Sequence, residues 1–510
     1  MILYLLHSQW LEFILLIGCV YAQARVDDQG RLLSVTQPGG GTRLYEYDTL
    51  GRLRGELYGQ GYTEYAYHDW GLLHIAKSRF VHNEVRFEYQ YHGGLTKEMR
   101  LRFRAPGGDL HKVKLHYLYD TCGRLMRIEL KIDVIKFEPL YIRFSNQTGI
   151  LQAISDLRIS RRTIQETTIL DQNRHFMCTR LKDDYGRFAQ KNIALQGRNI
   201  FQLQLSYDSR NRISKMVIEI AGRQELTNHT YMVDGQLLEA TGTHKWLYSY
   251  DQNGNILSYT DNTRAEFLHY DDYDRVIKVG DGNIEYDSRG FAIRYDNQNF
   301  EYNTKGLLIQ AWASDKRWSF ELVYDHLDRV YVYRDNQGNI TQFIYGRLDE
   351  PKVITHVHNP RTKSTTTLIY DDLNHLIALD SPNGRYYVAS DHAGTPLAFF
   401  EENGSLIYRQ RWSSFGRLVE SAGDRMWVGV GPWGQFVEPI TGIVLVDGHG
   451  YHPRLMQWLT PQWQRLTRAS RQVTDVYVYR YLNNDPINQP QQLLTELHGE
   501  CYRLNIFKEY

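Results

Sequence analysis

Residues 45–53 read YEYDTLGRL, residues 117–125 read YLYDTCGRL and residues 248–256 read YSYDQNGNI. Three near-copies in one chain indicate an internal repeat, which decides how the rest of the sequence is interpreted. Looser copies recur irregularly, often 16 to 25 residues apart, and they begin at Tyr207, Tyr270, Tyr286, Tyr302, Tyr324 and Tyr370. The recurrence predicts a fold in which one small unit is used many times.

Each part of the motif suits a β-hairpin. Tyr45 and Tyr47 are two residues apart, so they share one face of a strand. Asp48 can accept backbone N–H groups two residues further on and open a turn. Other copies fill the position of Gly51 with Gly, Asn or Asp, the residues that tolerate a positive φ. A basic or amide residue and an aliphatic residue then begin the return strand.

The repeat assigns structural turn positions along the chain. The aspartate and glycine positions are Asp48, Gly51, Asp120, Gly123, Asp251, Gly254, Asp287 and Gly290. The positions at which Asn or Asp replaces the glycine are Asn211, Asp274, Asp328 and Asn374. Because residue types vary there while the backbone demand stays the same, the pattern indicates a conformational role and not a chemical one.

More than ten hairpins in series predict an all-β fold with two dozen strands or more. Open twisted sheets rarely exceed about 10 strands before they curl or split, so we expect the ribbon to wind into a spiral or a closed, barrel-like shell. The 38 tyrosines then serve mainly as an aromatic ladder across strands. A platform on which sugars stack is the alternative use for them.

Composition excludes several classes of function. Lys plus Arg and Asp plus Glu each number 59, so the formal charge is zero and no excess of basic residues exists to attract a nucleic acid. Hydrophobic residues make up 42% of the chain and charged residues 23%, which is typical of a globular protein. Four cysteines are too few for a disulfide scaffold in a chain of this length.

The N-terminal residues 1–24 resemble a signal peptide. An apolar run at residues 11–22 precedes the small-x-small sequence Ala22-Gln23-Ala24, and it is too short to span a bilayer alone. The alternative is a fragment that opens on an arbitrary hydrophobic segment. Four N-x-S/T sequons are possible N-glycosylation sites, at Asn146, Asn228, Asn339 and Asn403.

Tyr-Asp arrays of this kind resemble the YD-repeat or Rhs family, and the C-terminal part of the chain narrows the resemblance. Residues 386–418 are similar to the core segment of that family, with a turn at residues 390–396 (SDHAGTP) and a closing Phe415-Gly416-Arg417. Residues 438–460 and 477–487 match its later stretches, although His452-Pro453 stands where Asp-Pro is usual. Within the family, the chain looks most like the animal teneurins.

The resemblance implies an organisation and a role. It divides the chain into a YD-repeat β-shell at 25–384, an Rhs-associated core segment at 385–490 that closes the shell, and a tail at 491–510. It implies a non-enzymatic extracellular or cell-surface protein, either a short secreted relative or a fragment, that acts in cell–cell adhesion and in neuronal guidance or synaptic signalling. The implied partner is a latrophilin-like receptor, with homophilic contacts possible, and the membrane would be reached only through a missing or N-terminal segment.

Two alternative functions come from different classes. Bacterial relatives encapsulate a toxin and release it by autoproteolysis at a DPxGL motif, which corresponds here to residues 485–489, DPINQ. Since Asn and Gln replace Gly and Leu, we predict a plain turn at this place. The other alternative is a carbohydrate-binding module.

No constellation of side chains points to catalysis, so we predict no enzyme, no cofactor and no metal site. His449 and His452 form an H-x-x-H pair, but the glycines beside them deny them a helix face, and we predict loop histidines. His356 and His358 alternate along a strand, and we predict that both face solvent.

Overall fold

The computed structural model describes residues 23–462 and 478–488, apart from residues 38, 106, 107, 110, 111, 162 and 263. Residues 1–22, which hold most of the signal-like segment, lie outside the described residues, as does the tail after residue 488. Within the described part of the chain, no helix is long and apolar enough to cross a bilayer.

The described residues form 44 strands and two short 3₁₀ turns, at Pro432–Gly434 and Leu482–Asn484. The first twenty strands are β1 (Gln23–Val26), β2 (Leu32–Thr36), β3 (Thr42–Tyr47), β4 (Leu53–Tyr58), β5 (Gly61–Tyr67), β6 (Leu73–Phe80), β7 (Asn83–His92), β8 (Leu95–Ala105), β9 (Gly108–Asp109), β10 (Val113–Tyr119), β11 (Leu125–Ile132), β12 (Ile135–Lys136), β13 (Leu140–Phe144), β14 (Leu151–Ile154), β15 (Leu157–Arg161), β16 (Glu166–Leu170), β17 (Phe176–Lys182), β18 (Phe188–Leu195), β19 (Arg198–Tyr207) and β20 (Ile213–Ile220). The next twenty are β21 (Arg223–Tyr231), β22 (Leu237–Gly242), β23 (Lys245–Tyr250), β24 (Ile256–Asp261), β25 (Arg264–Tyr270), β26 (Val276–Val279), β27 (Gly282–Tyr286), β28 (Ala292–Tyr295), β29 (Gln298–Tyr302), β30 (Leu308–Ala313), β31 (Ser319–Tyr324), β32 (Val330–Asp335), β33 (Ile340–Ile344), β34 (His356–Asn359), β35 (Ser364–Tyr370), β36 (Leu376–Ser381), β37 (Gly384–Ser390), β38 (Pro396–Glu401), β39 (Leu406–Trp412) and β40 (Leu418–Gly423). The last four are β41 (Phe436–Val437), β42 (Val444–Val446), β43 (His449–His452) and β44 (Gln457–Trp458).

Strands β1 to β40 form a single antiparallel sheet in which chain order is also spatial order. Two short strands depart from this rule: β9 pairs only with β8 and β12 only with β11, so β8 also pairs with β10 and β11 with β13. Strands β41 to β44 form a second, four-stranded antiparallel sheet. The prediction of an all-β fold made from hairpins in series is therefore confirmed.

The ribbon winds so that its second half lies against its first. Phe87 on β7 meets Tyr331 on β32 at 6.0 Å between ring centroids, and Phe176 on β17 stacks on Tyr387 of β37 at 4.4 Å. From the first contact to the second, the residues involved move towards the C-terminus in both halves of the chain, which is the order expected in a spiral. A continuous hydrophobic core fills the space between the windings and runs from Leu73 to Ile487. The long sheet thus avoids the exposed apolar face that an open strip would present.

A close backbone contact fixes the first winding against the second. The hydroxyl of Ser288 donates to the carbonyl of Gly39 at 3.0 Å. Gly39 has a φ of 73°, and a Cβ at this position would lie 1.8 Å from the carbonyl oxygen of Ser288. Only glycine allows this approach, because any side chain would push the two windings apart.

Buried ion pairs also join the windings. The Lys305 ammonium lies 2.7 Å from a Glu56 carboxylate oxygen and 3.1 Å from Asp328, and its side chain is 6% exposed. Burial alone would lower the pKa of Lys305, but the carboxylates of Asp328 and Glu56 hold it well above its ordinary value. Such pairs contribute little net stability over an apolar contact, but removing one partner is costly. They therefore fix which part of one winding meets which part of the other.

The prediction that His356 and His358 face solvent is wrong. Both imidazoles lie on the buried face of β34, with 0% and 1% exposure. Their Nδ1 atoms are hydrogen-bonded to the hydroxyls of Thr355 at 3.0 Å and Thr365 at 2.8 Å. Strand alternation places the two rings on one face, but it does not determine which face meets the core.

Candidate functional site: the Tyr-Asp corners and the C-terminal cap

Each turn of the repeat is a corner held by one aspartate. The Oδ1 of Asp48 accepts the backbone N–H groups of Leu50 and Arg52, both at 2.9 Å. Its Oδ2 accepts Nε of Arg52 at 2.7 Å. Between them, Gly51 adopts a φ of 80° and donates its N–H to the Asp48 carbonyl at 3.0 Å. The aspartate therefore satisfies the turn amides and the arginine together.

The same geometry recurs at the other predicted corners. Asp120 and Asp287 each accept two backbone N–H groups in the same way, and Asp251 accepts the N–H of Asn255. The φ values are 76° at Gly123, 81° at Gly254, 81° at Gly290, 62° at Asn211, 57° at Asp274, 57° at Asp328 and 59° at Asn374. The prediction that one backbone conformation explains the interchange of Gly, Asn and Asp is confirmed.

The arginine of a corner also holds the tyrosine of a later one. The Arg52 guanidinium lies 4.5 Å from the ring centroid of Tyr67, and the Tyr67 hydroxyl donates to the carbonyl of Leu53 at 2.8 Å. The same hydroxyl-to-carbonyl bond joins Tyr47 to Leu32, Tyr91 to Leu73, Tyr119 to Thr96, Tyr207 to Phe188, Tyr231 to Ile213, Tyr270 to Ile256, Tyr286 to Val276, Tyr302 to Ala292 and Tyr345 to Val330. This explains why tyrosine, not phenylalanine, recurs just before these turns, whether or not an aspartate follows it.

The aspartates of the corners are committed to structure. The Arg124 side chain, together with the backbone N–H groups of Arg124 and Cys122, lowers the pKa of Asp120. A general acid or base needs a pKa near the working pH, and the shift at Asp120 runs the other way. The described residues contain no grouping of three or more His, Cys, Asp or Glu side chains that could hold a metal ion.

The core segment continues the same sheet and the same corners. The predicted boundary between residues 384 and 385 falls inside β37. In the turn that follows, Oδ1 of Asp391 accepts the N–H groups of Ala393 and Thr395, both at 2.9 Å, and Gly394 has a φ of 84°. The Thr395 hydroxyl accepts the N–H of Trp433 at 3.0 Å, which links this corner to the chain beyond the sheet.

A cluster of aromatic rings holds the four-stranded sheet and the last described residues together as a cap. Tyr451 stacks on Tyr481 at 4.1 Å between centroids, and Trp433 and Trp458 lie 5.1 Å and 5.0 Å from Tyr481. All four rings are buried. Aromatic contacts at these distances are worth about 0.5–1.5 kcal/mol each beyond the area that they bury.

The cap closes over corners of the repeat. The Tyr479 hydroxyl donates to the carbonyl of Gly290 at 2.8 Å, and Nδ2 of Asn484 donates to the carbonyl of Gly254 at 2.8 Å. A Cβ on Gly290 would lie 2.4 Å from the Tyr479 hydroxyl oxygen. At these two corners, glycine is required by the neighbouring cap as well as by the positive φ.

The stretch that corresponds to the bacterial cleavage motif is tied to the sheet. Asp485 is buried, and burial raises its pKa although its carboxylate accepts Nδ2 of Asn488 at 2.9 Å. Asn488 in turn accepts the N–H of Ile213 at 2.8 Å, and the Ile487 carbonyl accepts Nε2 of His392 at 2.9 Å. The residue that replaces the motif's glycine thus makes specific side-chain contacts.

The prediction of loop histidines at 449 and 452 is wrong. Both residues belong to β43, which pairs with β42 and β44. His452 is buried against the edge of Tyr295 at 5.2 Å between centroids, and burial lowers its pKa to about 3. The flanking glycines exclude a helix, as predicted, but they are equally compatible with a short strand between two turns.

The four sequons differ in their surroundings. Asn146, Asn228 and Asn403 are exposed. Asn339 is half-buried, and its Nδ2 donates to Asp335 at 2.9 Å as the corner residue that replaces arginine. Nδ2 of Asn403 also donates, to Glu401 at 3.1 Å, so the sequon alone does not show which asparagines are exposed or which amide nitrogens have a partner.

Comparisons with known proteins identify the family. The family model Teneurin YD-shell matches residues 13–487. Teneurin-m of Drosophila melanogaster is 35% identical over 478 residues, which is 92% of this chain and 17% of that protein. Teneurin-3 of Danio rerio is 28% identical over 477 residues, or 91% of this chain and 17% of that protein. The chain therefore spans about a sixth of the length of these relatives.

Solved structures of bacterial toxins share the fold at low identity. The Tc holotoxin pore of Photorhabdus luminescens superposes with a TM-score of 0.63 at 14% identity, covering 91% of this chain and 26% of that one. A TcdB2-TccC3-Cdc42 structure gives a TM-score of 0.58 at 12% identity, covering 94% of this chain and 29% of that one. From the wound sheet, its Tyr-Asp corners and a family match that runs through the cap, we conclude that the chain belongs to the teneurin YD-shell family.

Proposed function

We propose that this chain is a teneurin-like shell that lies outside the cell or on its surface and acts as a non-enzymatic adhesion module. It would bind a receptor on a neighbouring cell and serve in neuronal guidance or synaptic signalling. The observation that carries the proposal is the 35% identity to Teneurin-m across 92% of the chain. The corners add support. Their aspartates and arginines bond to each other and to the backbone, so their role is structural, and recognition of a partner would fall to other side chains on the outer surface.

The partner we propose is a latrophilin-like receptor, with homophilic contacts as the second possibility. The direct test is binding of a purified latrophilin ectodomain to the immobilised chain. We expect saturable binding at or below about 1 µM, in the range of specific transient complexes. A folded chain that shows no binding at about ten times that concentration would contradict the receptor proposal, whereas self-association in the same instrument would favour homophilic contacts.

Two exposed aromatic side chains offer matched variants for locating the contact surface. The Trp70 indole is 57% exposed and the Phe267 ring is 58% exposed, and they lie far apart in the chain. Truncation of a central aromatic anchor typically costs about 2 kcal/mol or more in binding. Trp70→Ala and Phe267→Ala therefore serve as controls for each other, and loss of binding in one alone places the interface on that side.

An encapsulating shell with autoproteolytic release is the alternative function. The contacts of Asn488 with Asp485 and Ile213 favour a structural role for this stretch, since they occupy the residue that replaces the glycine of the motif. We expect the purified chain to keep its 60.0 kDa mass during incubation. Loss of the residues after Asp485, abolished by Asp485→Asn, would support the container instead.

A further inference from the structure

A cavity of about 150 Å³ lies between β20–β23 and β38–β40, beside the cap. Ile218 and His229 line it from the earlier strands, and Leu397 and Gln410 from the later ones. Trp433 lines it from the cap. The cavity is therefore bounded by both windings and by the cap, and it exists only in the fully wound shell.

Two imidazoles in this cavity have hydrogen-bonding capacity that the described residues leave unused. His229 is 5% exposed, and its Nδ1 has no hydrogen-bond partner within the described part of the chain. His392 donates from Nε2 to the Ile487 carbonyl at 2.9 Å, and its Nδ1 likewise has no hydrogen-bond partner among the described residues. Buried polar groups in proteins are nearly always hydrogen-bonded, so this pair calls for a ligand with hydroxyl groups.

The charged side chains that line the cavity have partners within the fold. The Glu420 carboxylate lies 2.6 Å from Arg409 and 3.2 Å from Arg411, and the Asp391 carboxylate accepts backbone N–H groups of its own corner. Burial lowers the pKa of His229 to about 3 and keeps its ring neutral. A charged ligand would lose its hydration and would have to compete with these existing partners for a counter-charge, so an uncharged ligand is favoured.

Size and lining select among uncharged ligands. An apolar cavity of about 150 Å³ can hold benzene, so this cavity can hold the ring of a pyranose, and its opening to solvent leaves room for the hydroxyl groups around that ring. Ile218 and Leu397 offer apolar contact, while polar groups from both windings face the same space. A phenol presents one hydroxyl, whereas a pyranose presents hydroxyls around its rim and C–H groups on its faces. The distribution of polar groups on several sides matches the pyranose.

We propose that this cavity binds one uncharged hexopyranose unit, such as the terminal residue of a glycan. The sugar would donate hydroxyl groups to Nδ1 of His229 and Nδ1 of His392 and pack one face against the apolar side chains. The proposal goes beyond adhesion to a receptor protein and does not depend on it, because free sugars test it without any partner.

The experiment uses the full chain and free sugars. Saturation-transfer NMR is recorded with glucose, galactose, mannose, fucose, N-acetylglucosamine and N-acetylgalactosamine, with phenol as a separate arm. We expect saturable binding of at least one sugar with a Kd of about 10 mM or lower, a strength ordinary for one small polar ring. Absence of saturable binding for every sugar at about five times that concentration would overturn the proposal, as would binding of phenol alone.

Variants separate the cavity from the rest of the surface. His229→Phe removes the free acceptor, and Met216→Trp fills the same cavity from its wall without removing a polar group. Each is expected to weaken sugar binding at least about tenfold. His269→Phe makes the first substitution on an exposed strand position and should leave affinity unchanged. Circular dichroism identifies a variant that does not fold. Wild-type affinity in both folded cavity variants would refute the assignment.

Discussion

Replacing His356 with leucine should reduce the loss of unfolding free energy that this shell undergoes on acidification. The His356 ring is fully buried, and burial lowers its pKa to about 3. Its Nδ1 contacts the Thr355 hydroxyl, which also accepts the N–H of Gly346 and donates to the carbonyl of Ile344. Leucine of similar volume therefore removes the titrating group and leaves Thr355 satisfied.

The size of the effect follows from linkage. In the unfolded chain a histidine takes up its proton near a pKa of about 6.5, whereas folded His356 stays neutral until the pH is close to its lowered pKa. The unfolded state therefore binds more protons throughout that window, and stability falls as the pH falls. Between pH 7 and pH 5 the loss is about 2 kcal/mol for one such histidine.

Four more histidines share this behaviour, so the whole shell should be acid-sensitive. Burial lowers the pKa to about 3 at His229 and His452, and to about 4 at His326 and His375. Together with His356 they remove roughly 10 kcal/mol between pH 7 and pH 5, which is comparable with the whole stability of an ordinary domain.

The assay is urea unfolding followed by tryptophan fluorescence at pH 7, 6 and 5. His356→Leu should reduce the slope of the unfolding free energy against pH by about 1.2 kcal/mol per pH unit between pH 6 and pH 5. His269→Leu, at an exposed position, should keep the wild-type slope. If folded His356→Leu shows the same slope as the wild type, the imidazole does not titrate as argued, and the reasoning fails.

Other variants test the corners, the windings and the sequons. Tyr67→Phe removes the hydroxyl bond to the previous corner and should lower the unfolding free energy by about 1 kcal/mol in urea titrations. Lys305→Met leaves the Glu56 carboxylate buried without its cation and should cost about 3–5 kcal/mol, measured in the same way. When the chain is expressed through a secretory pathway, peptide mass spectrometry should find glycan on exposed Asn228 but not on half-buried Asn339, whose amide nitrogen donates to Asp335 within its corner.

Matched changes control these results. Tyr141 is 44% exposed, so Tyr141→Phe should be nearly neutral. Adding Glu56→Leu to Lys305→Met removes the stranded charge and should recover part of the lost stability. A cost for Tyr67→Phe no greater than that for Tyr141→Phe would contradict the role assigned to the corner hydroxyls. Full glycosylation of Asn339 in folded protein would contradict the corner geometry at that residue.

The local fold was predictable because many copies of the repeat can be compared within one chain, and the comparison shows which positions need a particular backbone conformation. The exchange of Gly51 and its equivalents for Asn and Asp within one chain reveals a positive φ without any structure. The role of the tyrosine hydroxyl was missed, although the recurrence of a tyrosine after the arginine of the preceding corner was a usable signal. Contacts between windings, such as that of Lys305 with Glu56, were not predictable, because local sequence carries no record of which distant hairpins meet.

The sequence also did not predict which face of a strand meets the core. The period of two correctly places His356 and His358 on one side of β34, but both sides of a strand in a wound sheet can be covered. The cavity beside the cap was hidden for the same reason. Its His229 and His392 come from strands and turns far apart in the chain, and only the winding brings them together.

The contact between the windings has a consequence for biosynthesis. The Tyr89 hydroxyl lies 3.2 Å from Nε2 of His326, a partner 237 residues further along the chain. At a translation rate of roughly 5–20 residues per second, roughly 10–50 seconds pass before that partner leaves the ribosome. Throughout this interval the apolar side of the early hairpins is not covered by the later winding. The nascent chain therefore needs a chaperone, or slow release in a protected environment, to fold without aggregating.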